Sequence, residues 1–326
     1  MAYQRILKPR FYMDHFNWLA SRGRSRDTML GINAESGYDP LNTGYTKYQL
    51  ANMNPLDFVT FNTLAGTDDD TVSITFDFGI AAMPTNFVSI MNHTLNTAGG
   101  KIRVAYSSSA ITHANRGTAV AFTEVLNGDV SGDYATPGDD YDTLLVFPTA
   151  SARYWAVELL DVSAWAADVQ VGEVTLGEYY TMPISPDMPT KRDTAFPGVN
   201  VREAYGGKRF GFAKWTRLTS GVYSPFRSGV DELTLGGRAS FDLSYSYLAD
   251  TNVFPSDLAS LYGSSNFLGD VVNRASMSLI PFIWTGDSTS IIAGDYMFSR
   301  FDQNSFATSM PSANVETFSA RIVQEF

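Results

Sequence analysis

Clustered carboxylates are the residues of this sequence that could most readily bind a cation or catalyse a reaction. One run, Asp68-Asp69-Asp70, precedes a strand-like segment, and five further aspartates fall in the Gly-containing stretch 129–142, namely Asp129, Asp133, Asp139, Asp140 and Asp142. Hard cations such as Ca²⁺ take several oxygen ligands, so either stretch could bind calcium. Neither has the Asp-x-Asp-x-Asp-Gly order and closing Glu of an EF-hand loop, and a solvated acidic loop is the alternative. Paired carboxylates roughly 5–10 Å apart could also serve a glycosidase.

The chain has 3 histidines, His15, His93 and His113, and they form no HExxH or other paired spacing. A zinc hydrolase is therefore not expected. His93 ends the strand-like segment that runs into Met91-Asn92-His93, and we predict a hydrogen-bonded structural residue there, with a role as ligand or base as the alternative. His15 and His113 fall in a predicted helix and a predicted loop.

Nucleophilic and nucleotide-binding motifs are absent from the sequence. There is no cysteine, which excludes disulfides, thiolate metal ligands and cysteine nucleophiles. No Gly-x-Ser-x-Gly nucleophile elbow occurs, since neither Gly221-Val222-Tyr223-Ser224 nor Gly263-Ser264-Ser265 fits that pattern. The phosphate-binding motif Gly-x-x-x-x-Gly-Lys-Ser/Thr is also absent from the sequence. The pairs Gly99-Gly100, Gly206-Gly207 and Gly236-Gly237 are predicted to be hairpin turns. We therefore assign no catalytic, cofactor-binding or metal-binding residue and expect a protein that is not an enzyme.

Aromatic side chains offer another kind of chemistry, because exposed rings stack on sugars. Trp155 lies beside Tyr154 in a strand-like segment and Trp284 ends an apolar one, so both are predicted core residues. Trp165, in Ser163-Ala164-Trp165-Ala166, lies in a predicted connection and is the ring that we expect to be most exposed.

The charge of the chain restricts its partners. The 326 residues carry a formal net charge of −11. Phosphate backbones and anionic membrane surfaces repel so acidic a chain, so we expect neither nucleic-acid binding nor membrane insertion. No apolar run reaches the ~18 residues of a spanning helix. Met1-Ala2-Tyr3-Gln4-Arg5 lacks the apolar region of a signal peptide, which predicts synthesis in the cytoplasm without export.

Residues 54–180 have the alternation of short β-strands. Apolar and polar residues alternate in Val72-Ser73-Ile74-Thr75-Phe76-Asp77-Phe78 and again from Lys101 to Tyr106. Further strands are predicted over 86–91, 143–147, 153–159 and 169–176, the last with a bulge at Gly172. Short strands without long helices between them predict an antiparallel sandwich or jelly roll.

The segments that flank this region are predicted to be irregular. Residues 1–53 form an N-terminal arm with a short helix over 14–21. The run Arg22-Gly23-Arg24-Ser25-Arg26 is either a solvated turn or a clamp on an acidic patch of a neighbouring subunit. Residues 181–200 contain Pro183, Pro186, Pro189 and Pro197, which predict a stiff linker.

Four segments of residues 54–180 carry a family pattern. They are Ile74-Thr75-Phe76-Asp77-Phe78-Gly79, Asn86-Phe87-Val88-Ser89-Ile90-Met91-Asn92-His93, Ile102 to Ser107, and Ala152-Arg153-Tyr154-Trp155-Ala156-Val157-Glu158-Leu159. With these motifs the region resembles the galactose-binding-like, or discoidin-type, jelly roll. The resemblance implies that fold and, more weakly, sugar binding.

Residues 201–326 are predicted to be a second β domain with one short helix. Strands are expected over 238–248, 277–284, 291–301 and 315–326, and a helix over 255–263. In the first strand, one face carries Phe241, Leu243, Tyr245 and Tyr247.

This second region also carries a resemblance, over about residues 235–326. The residues concerned are Phe241-Asp242-Leu243-Ser244-Tyr245, Leu258 to Tyr262, Ser278 to Trp284, Asp295 to Phe301, and Phe318 to Glu325. They resemble the β-sandwich-plus-helix domain of bacteriophage tail-tube and distal-tail proteins. Distal-tail proteins join a ring-forming domain of this kind to a galactose-binding-like sandwich, whereas in this chain the jelly roll comes first.

The predicted fold class is therefore mainly β, an antiparallel jelly-roll sandwich followed by a second β-sandwich domain with a short helix. The domains are an arm at 1–53, the jelly roll at 54–180, a linker at 181–200 and the tail-protein-like domain at 201–326. The resemblances imply a structural component of a phage virion, made in the host cytoplasm, that forms a symmetric homo-oligomer and joins other tail proteins. The alternative is a carbohydrate-binding module for host-surface glycan. A polysaccharide-degrading enzyme is disfavoured because no catalytic constellation is present.

Overall fold

Antiparallel β-strands make up most of the structure, a computed structural model. It describes residues 6–33, 39–65, 72–79, 82–188, 190–195, 199–203, 205, 207, 209–213, 238–255, 265–302 and 307–325. The predicted fold class, mainly β with antiparallel, sandwich-like sheets, is confirmed. Within the described ranges, no helix is long and apolar enough to cross a membrane.

The elements are short. The strands, in chain order, are β1 Arg10–Asp14, β2 Leu30–Asn33, β3 Val59–Phe61, β4 Val72–Asp77, β5 Met83–Met91, β6 Gly100–Ser107, β7 Thr118–Ala119, β8 Glu124–Leu126, β9 Gly128–Ser131, β10 Tyr134–Pro137, β11 Asp142–Ala152, β12 Tyr154–Asp161, β13 Val169–Val171, β14 Glu173–Thr181, β15 Lys191–Ala195, β16 Val199–Glu203, β17 Arg209–Ala213, β18 Arg238–Ala249, β19 Phe282–Thr285, β20 Tyr296–Phe301, β21 Ala307–Ser312 and β22 Val315–Gln324. The α-helices are α1 His15–Ser21, α2 Arg26–Met29, α3 Leu95–Ala98 and α4 Asp250–Val253. Short 3-10 turns cover Lys47–Ala51, Thr63–Ala65 and Ala293–Asp295, and a π-helix covers Leu268–Val272.

In the part of the chain that the structure describes, the strands form four antiparallel sheets. The largest has the order β15-β18-β22-β20-β19-β1-β14-β5-β11-β8, with β21 also paired to β22. The second has the order β2-β4-β12-β6-β10-β9, with β7 paired to β6. Two further pairs are β13 with β3 and β16 with β17. Strands from both predicted domains thus share one sheet, and the residue ranges of the domains stay predictions.

The largest and second sheets share one apolar core over the jelly-roll region. Alternation along β4 and β12 turns Phe76 and Trp155 inward, where both are buried. Val88 on β5 and Leu145 on β11 enter the same core from the largest sheet. Burial of each such side chain contributes about 1.5–3 kcal/mol, so the period-two pattern dictates which face of each strand is covered.

Residues 6–53 do not form the irregular arm that the sequence predicts. β1 lies in the middle of the largest sheet, paired with β14 on one side and with β19 on the other. Phe11 and Met13 enter the core of the second half, while Tyr12 enters a separate cluster. A strand buried on both faces reads as a continuous apolar run rather than as alternation, which is why the pattern does not reveal it.

The helix predicted over 14–21 is present as α1, with Asp14 as its N-cap. The Asp14 carboxylate accepts hydrogen bonds from the backbone N–H groups of Phe16 and Asn17, each at 3.0 Å. These bonds satisfy two of the backbone donors that a helix start leaves without intrahelical partners. The chain therefore turns directly from β1 into α1.

The predicted linker over 181–200 also contains a strand. β15 pairs with β18, from Lys191 opposite Asp242 to Ala195 opposite Arg238. The prolines do not prevent this pairing because Pro189 and Pro197 lie outside β15, and every residue of β15 keeps its backbone N–H.

The strand predicted over 238–248 is present as β18, but its buried face is not fully the predicted one. Phe241, Leu243 and Tyr245 are buried, whereas Tyr247 is 80% exposed. The register of β18 against β22 shifts between Tyr245 and Leu248. This irregularity places Leu248 rather than Tyr247 in the core, because one additional residue reverses the faces of a strand.

Two other strands of the second half are shorter than predicted. β19 begins at Phe282 rather than at 277, since Ser276 and Met277 have φ values of 45° and 67°, which a strand does not allow. β20 begins at Tyr296 rather than at 291, because Ala293–Asp295 forms a 3-10 turn. The helix predicted over 255–263 lies, beyond residue 255, outside the described residues.

Two glycines let other backbone segments approach β14 closely. A Cβ atom at Gly172 would lie 2.1 Å from the carbonyl oxygen of Pro55, and one at Gly177 would lie 1.8 Å from that of Met13. Both distances are far below van der Waals contact, so only glycine fits. Gly172 separates β13 from β14, where the sequence predicts a bulge, and Gly177 lies opposite Asp14 in the pairing of β1 with β14.

We predict that Gly177→Ala lowers the free energy of unfolding by about 2–3 kcal/mol, because β1 must move away from β14 to admit the methyl group. The matched control is Gly294→Ala, since a Cβ atom at Gly294 has nothing within 4 Å. The control is expected to change stability by less than about 0.5 kcal/mol. Urea denaturation measures both; equal stabilities of the two variants would contradict the close approach of β1.

Candidate functional site

The acidic residues of 129–142 are mostly used within the fold. Asp139 accepts hydrogen bonds from the Asn127 side chain at 2.5 Å and from the Tyr141 N–H at 3.1 Å, and Asp140 accepts one from the Thr97 N–H at 2.7 Å. Asp142 is buried and accepts a hydrogen bond from the Asn92 N–H at 2.8 Å. Asp129 and Asp133 are exposed on the β9–β10 hairpin.

These carboxylates do not converge. Within the described ranges, no group of three His, Cys, Asp or Glu residues could hold a metal ion. The other acidic run, Asp68-Asp69-Asp70, lies outside the described residues. Calcium binding by either stretch stays a prediction.

His93 has the hydrogen-bonded environment that the sequence predicts. It is fully buried, its Nδ1 accepts the Leu95 N–H at 3.3 Å, and its Nε2 therefore carries the proton and donates to Thr143 Oγ1 at 3.0 Å. Burial lowers the pKa of His93 to about 4, so the ring is neutral near neutral pH.

The other two histidines lie on separate elements. His15 is buried at the start of α1 and donates from Nε2 to the Pro84 carbonyl oxygen at 2.7 Å. Its burial, and then the charge of Arg274, hold the pKa of His15 well below its usual range. His113 is half-buried in the connection between β6 and β7. No two of the three histidines are brought together in one site.

The tryptophans are also placed largely as core residues. Trp155 and Trp284 are fully buried, as predicted. Trp165 is not the exposed ring that the sequence predicts, because it is half-buried and packs against the first core. A Cβ atom at Gly100 would lie 2.9 Å from the Trp165 ring, so this glycine provides the space that the ring occupies.

A concave site lies elsewhere, on the outer face of the second sheet. It has a volume of about 400 Å³ and is bounded by β2, β4, the start of β12 and the connection between β6 and β7. We call it the sheet pocket; its lining side chains include Asp27, Lys47, Thr75, Asp77, Ile111 and Tyr154.

Gly31 and Thr75 lie side by side in the lining of the sheet pocket, on the neighbouring strands β2 and β4. A Cβ atom at Gly31 would lie 2.6 Å from Thr75 Oγ1, so glycine leaves that hydroxyl uncovered.

The connection between β6 and β7 forms one wall of the pocket. Ile111 in this connection is 5% exposed, and its carbonyl oxygen accepts a hydrogen bond from Asn33 Nδ2 at 2.9 Å. Farther along, Arg103 and Arg116 both donate to Glu158 Oε2 at 2.7 Å. Hydrogen bonds to a buried carboxylate are charge-assisted, so they hold this wall against the sheet.

The charged groups of the sheet pocket are paired with each other or with neighbours. Arg153 donates to both carboxylate oxygens of Asp77, at 2.6 and 2.8 Å, and these hydrogen bonds lower the pKa of Asp77. Asp27 forms an ion pair with Lys47 at 2.9 Å, and the hydrogen bond from Lys47 lowers the pKa of Asp27. The pocket is therefore lined by compensated charges.

Two hydroxyl groups of the pocket have no hydrogen-bond partner among the described residues. Among the described residues, neither Thr75 Oγ1 nor the Tyr154 phenol forms a hydrogen bond, although the Arg153 guanidinium carbon lies 4.7 Å from the centre of the Tyr154 ring. The sequence pattern predicts only that both residues lie in strands. Their role in the pocket could have been inferred from their positions on the outward-facing sides of β4 and β12, close to the motif residue Asp77.

Comparisons with known proteins give similarities in shape but none in sequence. No known family model matches the sequence, and no curated protein matches it significantly. Chitosan-binding module 2 of a chitosanase/glucanase from Paenibacillus sp. IK-5, solved with chitotriose, is 14% identical, covers 46% of this chain and 95% of its own, and has a TM-score of 0.32.

Two further solved structures are similar to the same extent. A CBM32 module from Clostridium perfringens, solved with GalNAc-β-1,3-galactose, is 12% identical, covers 46% of this chain and 95% of its own, and has a TM-score of 0.29. A pectin-binding module is 14% identical, covers 46% of this chain and 91% of its own, and has a TM-score of 0.31. At such TM-scores the likeness does not establish a shared ligand.

The buried His93 predicts a pH dependence of stability. An unfolded histidine has a pKa near 6.5, above the folded value of about 4, so the unfolded chain binds more protons between these pH values. Stability from neutral His93 is therefore lost as pH falls from 6.5 to 4, by up to about 3 kcal/mol. Urea denaturation across this range should show the wild-type advantage over His93→Gln shrinking by that amount, whereas a constant advantage would contradict the buried neutral ring.

Proposed function

We propose that this protein binds an uncharged glycan in the sheet pocket. The observation that carries the proposal is the combination of the Tyr154 ring with two unengaged hydroxyls in a concave site of about 400 Å³. That volume lies within the range of known small-molecule sites, which join apolar surface to a few polar groups.

The chemistry of the pocket matches the chemistry of a sugar ring. A pyranose presents C–H groups that pack on an aromatic face and hydroxyls that both donate and accept hydrogen bonds. Tyr154 supplies the aromatic surface, and Thr75 Oγ1 and the Tyr154 phenol supply hydrogen-bonding groups. Asp77 keeps lone pairs for a sugar hydroxyl even while it accepts from Arg153.

The charges support an uncharged ligand. The acidic and basic groups of the pocket already compensate each other, so an ionic ligand gains no unpaired counter-charge there. The net charge of −11 further disfavours the approach of a polyanionic glycan. Of the three modules described above, two were solved with chitotriose and with GalNAc-β-1,3-galactose, and the third binds pectin.

A glycan array followed by calorimetry on the strongest uncharged ligand tests the proposal. Tyr154→Ala is expected to weaken binding about tenfold, because removal of an aromatic contact costs about 1.4 kcal/mol. Gly31→Ala is expected to weaken binding as well, because its methyl group displaces the Thr75 hydroxyl. Tyr247→Ala is the matched control, since Tyr247 is exposed outside the pocket.

Two outcomes would contradict the proposal. One is no binding to any glycan of the array; the other is equal affinity of Tyr154→Ala and Tyr247→Ala. We propose binding without hydrolysis, so an assay for new reducing ends on the bound glycan is expected to give none.

We also propose a second role, as a structural component of a phage virion at the tail or tail tip. The observation that favours assembly is β21, whose six residues are all exposed. In the described part of the chain β21 pairs with β22 alone, so its other edge offers unpaired backbone groups. Such an edge can accept a strand from a neighbouring protein.

Mass spectrometry of particles purified from the producing culture tests this role. The protein is expected at a fixed ratio to the other virion proteins. Its absence from washed particles would contradict the role, and this result is independent of glycan binding.

A further inference from the structure

An exposed aromatic ring lies beside the sheet pocket. Tyr48 is 41% exposed and belongs to the 3-10 turn Lys47–Ala51. Its phenol donates a hydrogen bond to Asp27 Oδ1 at 2.8 Å, and Asp27 is one of the residues that line the pocket. The hydroxyl end of the Tyr48 ring therefore touches the rim of the pocket, while much of the ring faces solvent.

The turn that carries Tyr48 is fixed to the pocket. The Lys47 ammonium donates to the carbonyl oxygens of Asp27 at 3.0 Å and Leu30 at 2.7 Å, and it lies 2.9 Å from the Asp27 carboxylate. A capping box also closes the start of the turn. The position of the ring is therefore set before a ligand binds, and a preorganised ring loses little conformational entropy on binding.

The carboxylate between the ring and the pocket has an oxygen available. Asp27 Oδ1 interacts with the Tyr48 phenol and the Lys47 ammonium, whereas no described residue donates a hydrogen bond to Oδ2. The hydrogen bond from Lys47 lowers the pKa of Asp27, so the carboxylate is ionised near neutral pH. An ionised carboxylate accepts hydrogen bonds from sugar hydroxyls. An aromatic face and a hydrogen-bond acceptor thus lie next to each other at this rim.

The Tyr48 ring and the Tyr154 ring flank the pocket from different sides. Tyr154 begins β12, whereas Tyr48 is bound to Asp27 in α2, which leads into the edge strand β2. β4 lies between β2 and β12 in the second sheet. Two strand spacings of about 4.8 Å, roughly 10 Å in total, therefore separate β2 from β12. Aromatic surfaces on both sides of the pocket suit a chain of linked sugars better than a single one.

We propose that Tyr48 forms a second sugar-binding subsite and that the ligand is an uncharged oligosaccharide. One sugar packs on Tyr154 in the sheet pocket, and a linked sugar packs on Tyr48 and donates a hydroxyl hydrogen bond to Asp27 Oδ2. The second contact strengthens binding because it forms within a ligand that is already held. This inference rests on the proposed binding of glycan in the sheet pocket.

Calorimetry with glycans of increasing length tests the second subsite. The probes are the terminal monosaccharide of the strongest uncharged glycan on the array and its fragments of two, three and four sugars. Wild-type affinity is expected to rise about tenfold along this series, as for one added aromatic contact. Tyr48→Ala is expected to bind the monosaccharide as the wild type does but to lose the gain with length.

Tyr48→Phe is the matched control, because it keeps the ring and removes only the hydrogen bond to Asp27. This variant is expected to retain most of the gain with length, and urea denaturation checks that both variants are folded.

Three results would overturn the second subsite while binding in the sheet pocket still stands. They are a wild-type affinity that does not rise with length, a Tyr48→Ala variant that keeps the full gain, and a Tyr48→Ala variant that loses affinity equally for every length. Weaker binding of the monosaccharide by Tyr154→Ala shows in the same experiment that the pocket itself is used. If no glycan of any length binds to the wild type, both proposals are wrong.

Discussion

The structure depends on the two-sided pairing of β1. The backbone of this strand hydrogen-bonds to β14 along one edge and to β19 along the other, so strands from the two halves of the chain form one sheet. The side chains of β1 enter two clusters on opposite faces of the sheet. Phe11 and Met13 lie in the core of the second half, and Tyr12 lies in a separate cluster on the other face. Without β1, β14 and β19 would each have an open edge toward the other half.

The functional surfaces follow from this strand. Asp14 ends β1 and caps α1, so the direction of α1 is set by the sheet. The chain then continues through the arginine turn and α2 into β2, which forms an edge of the sheet pocket. A buried ion pair ties the other half to the same region, because Arg274, which is fully buried, donates to Glu178 of β14 at 2.8 Å. The sheet pocket is therefore bounded by elements that β1 positions.

Much of the β-strand content could be predicted from alternation. β4 buries alternate residues and β6 does so over most of its length, so period-two patterning identifies both within a residue or two. β1 could not be found in this way, because both of its faces are buried and its partners lie far away in sequence. Tyr247 was assigned to the wrong face because a shift in strand register depends on the partner strand, which a local pattern does not contain.

The sheet pocket was harder to predict than the fold. Its residues are outward-facing polar residues of strands, and in sequence these look like ordinary solvent-exposed positions. Thr75 and Tyr154 come together only because β4 and β12 are adjacent, and the wall is held in place by hydrogen bonds from Asn33, Arg103 and Arg116 to distant residues. Pairing of distant strands therefore carries the information that the sequence pattern lacks.

The central claim is that β1 joins the two halves into one cooperative unit. Hydrogen exchange of the wild-type protein in increasing urea, read by mass spectrometry on peptides from β12 and β18, tests it directly. The account predicts that both strands lose protection at the same urea concentration, in one step. Loss of protection in β18 while β12 remains fully protected, or the reverse, would contradict it.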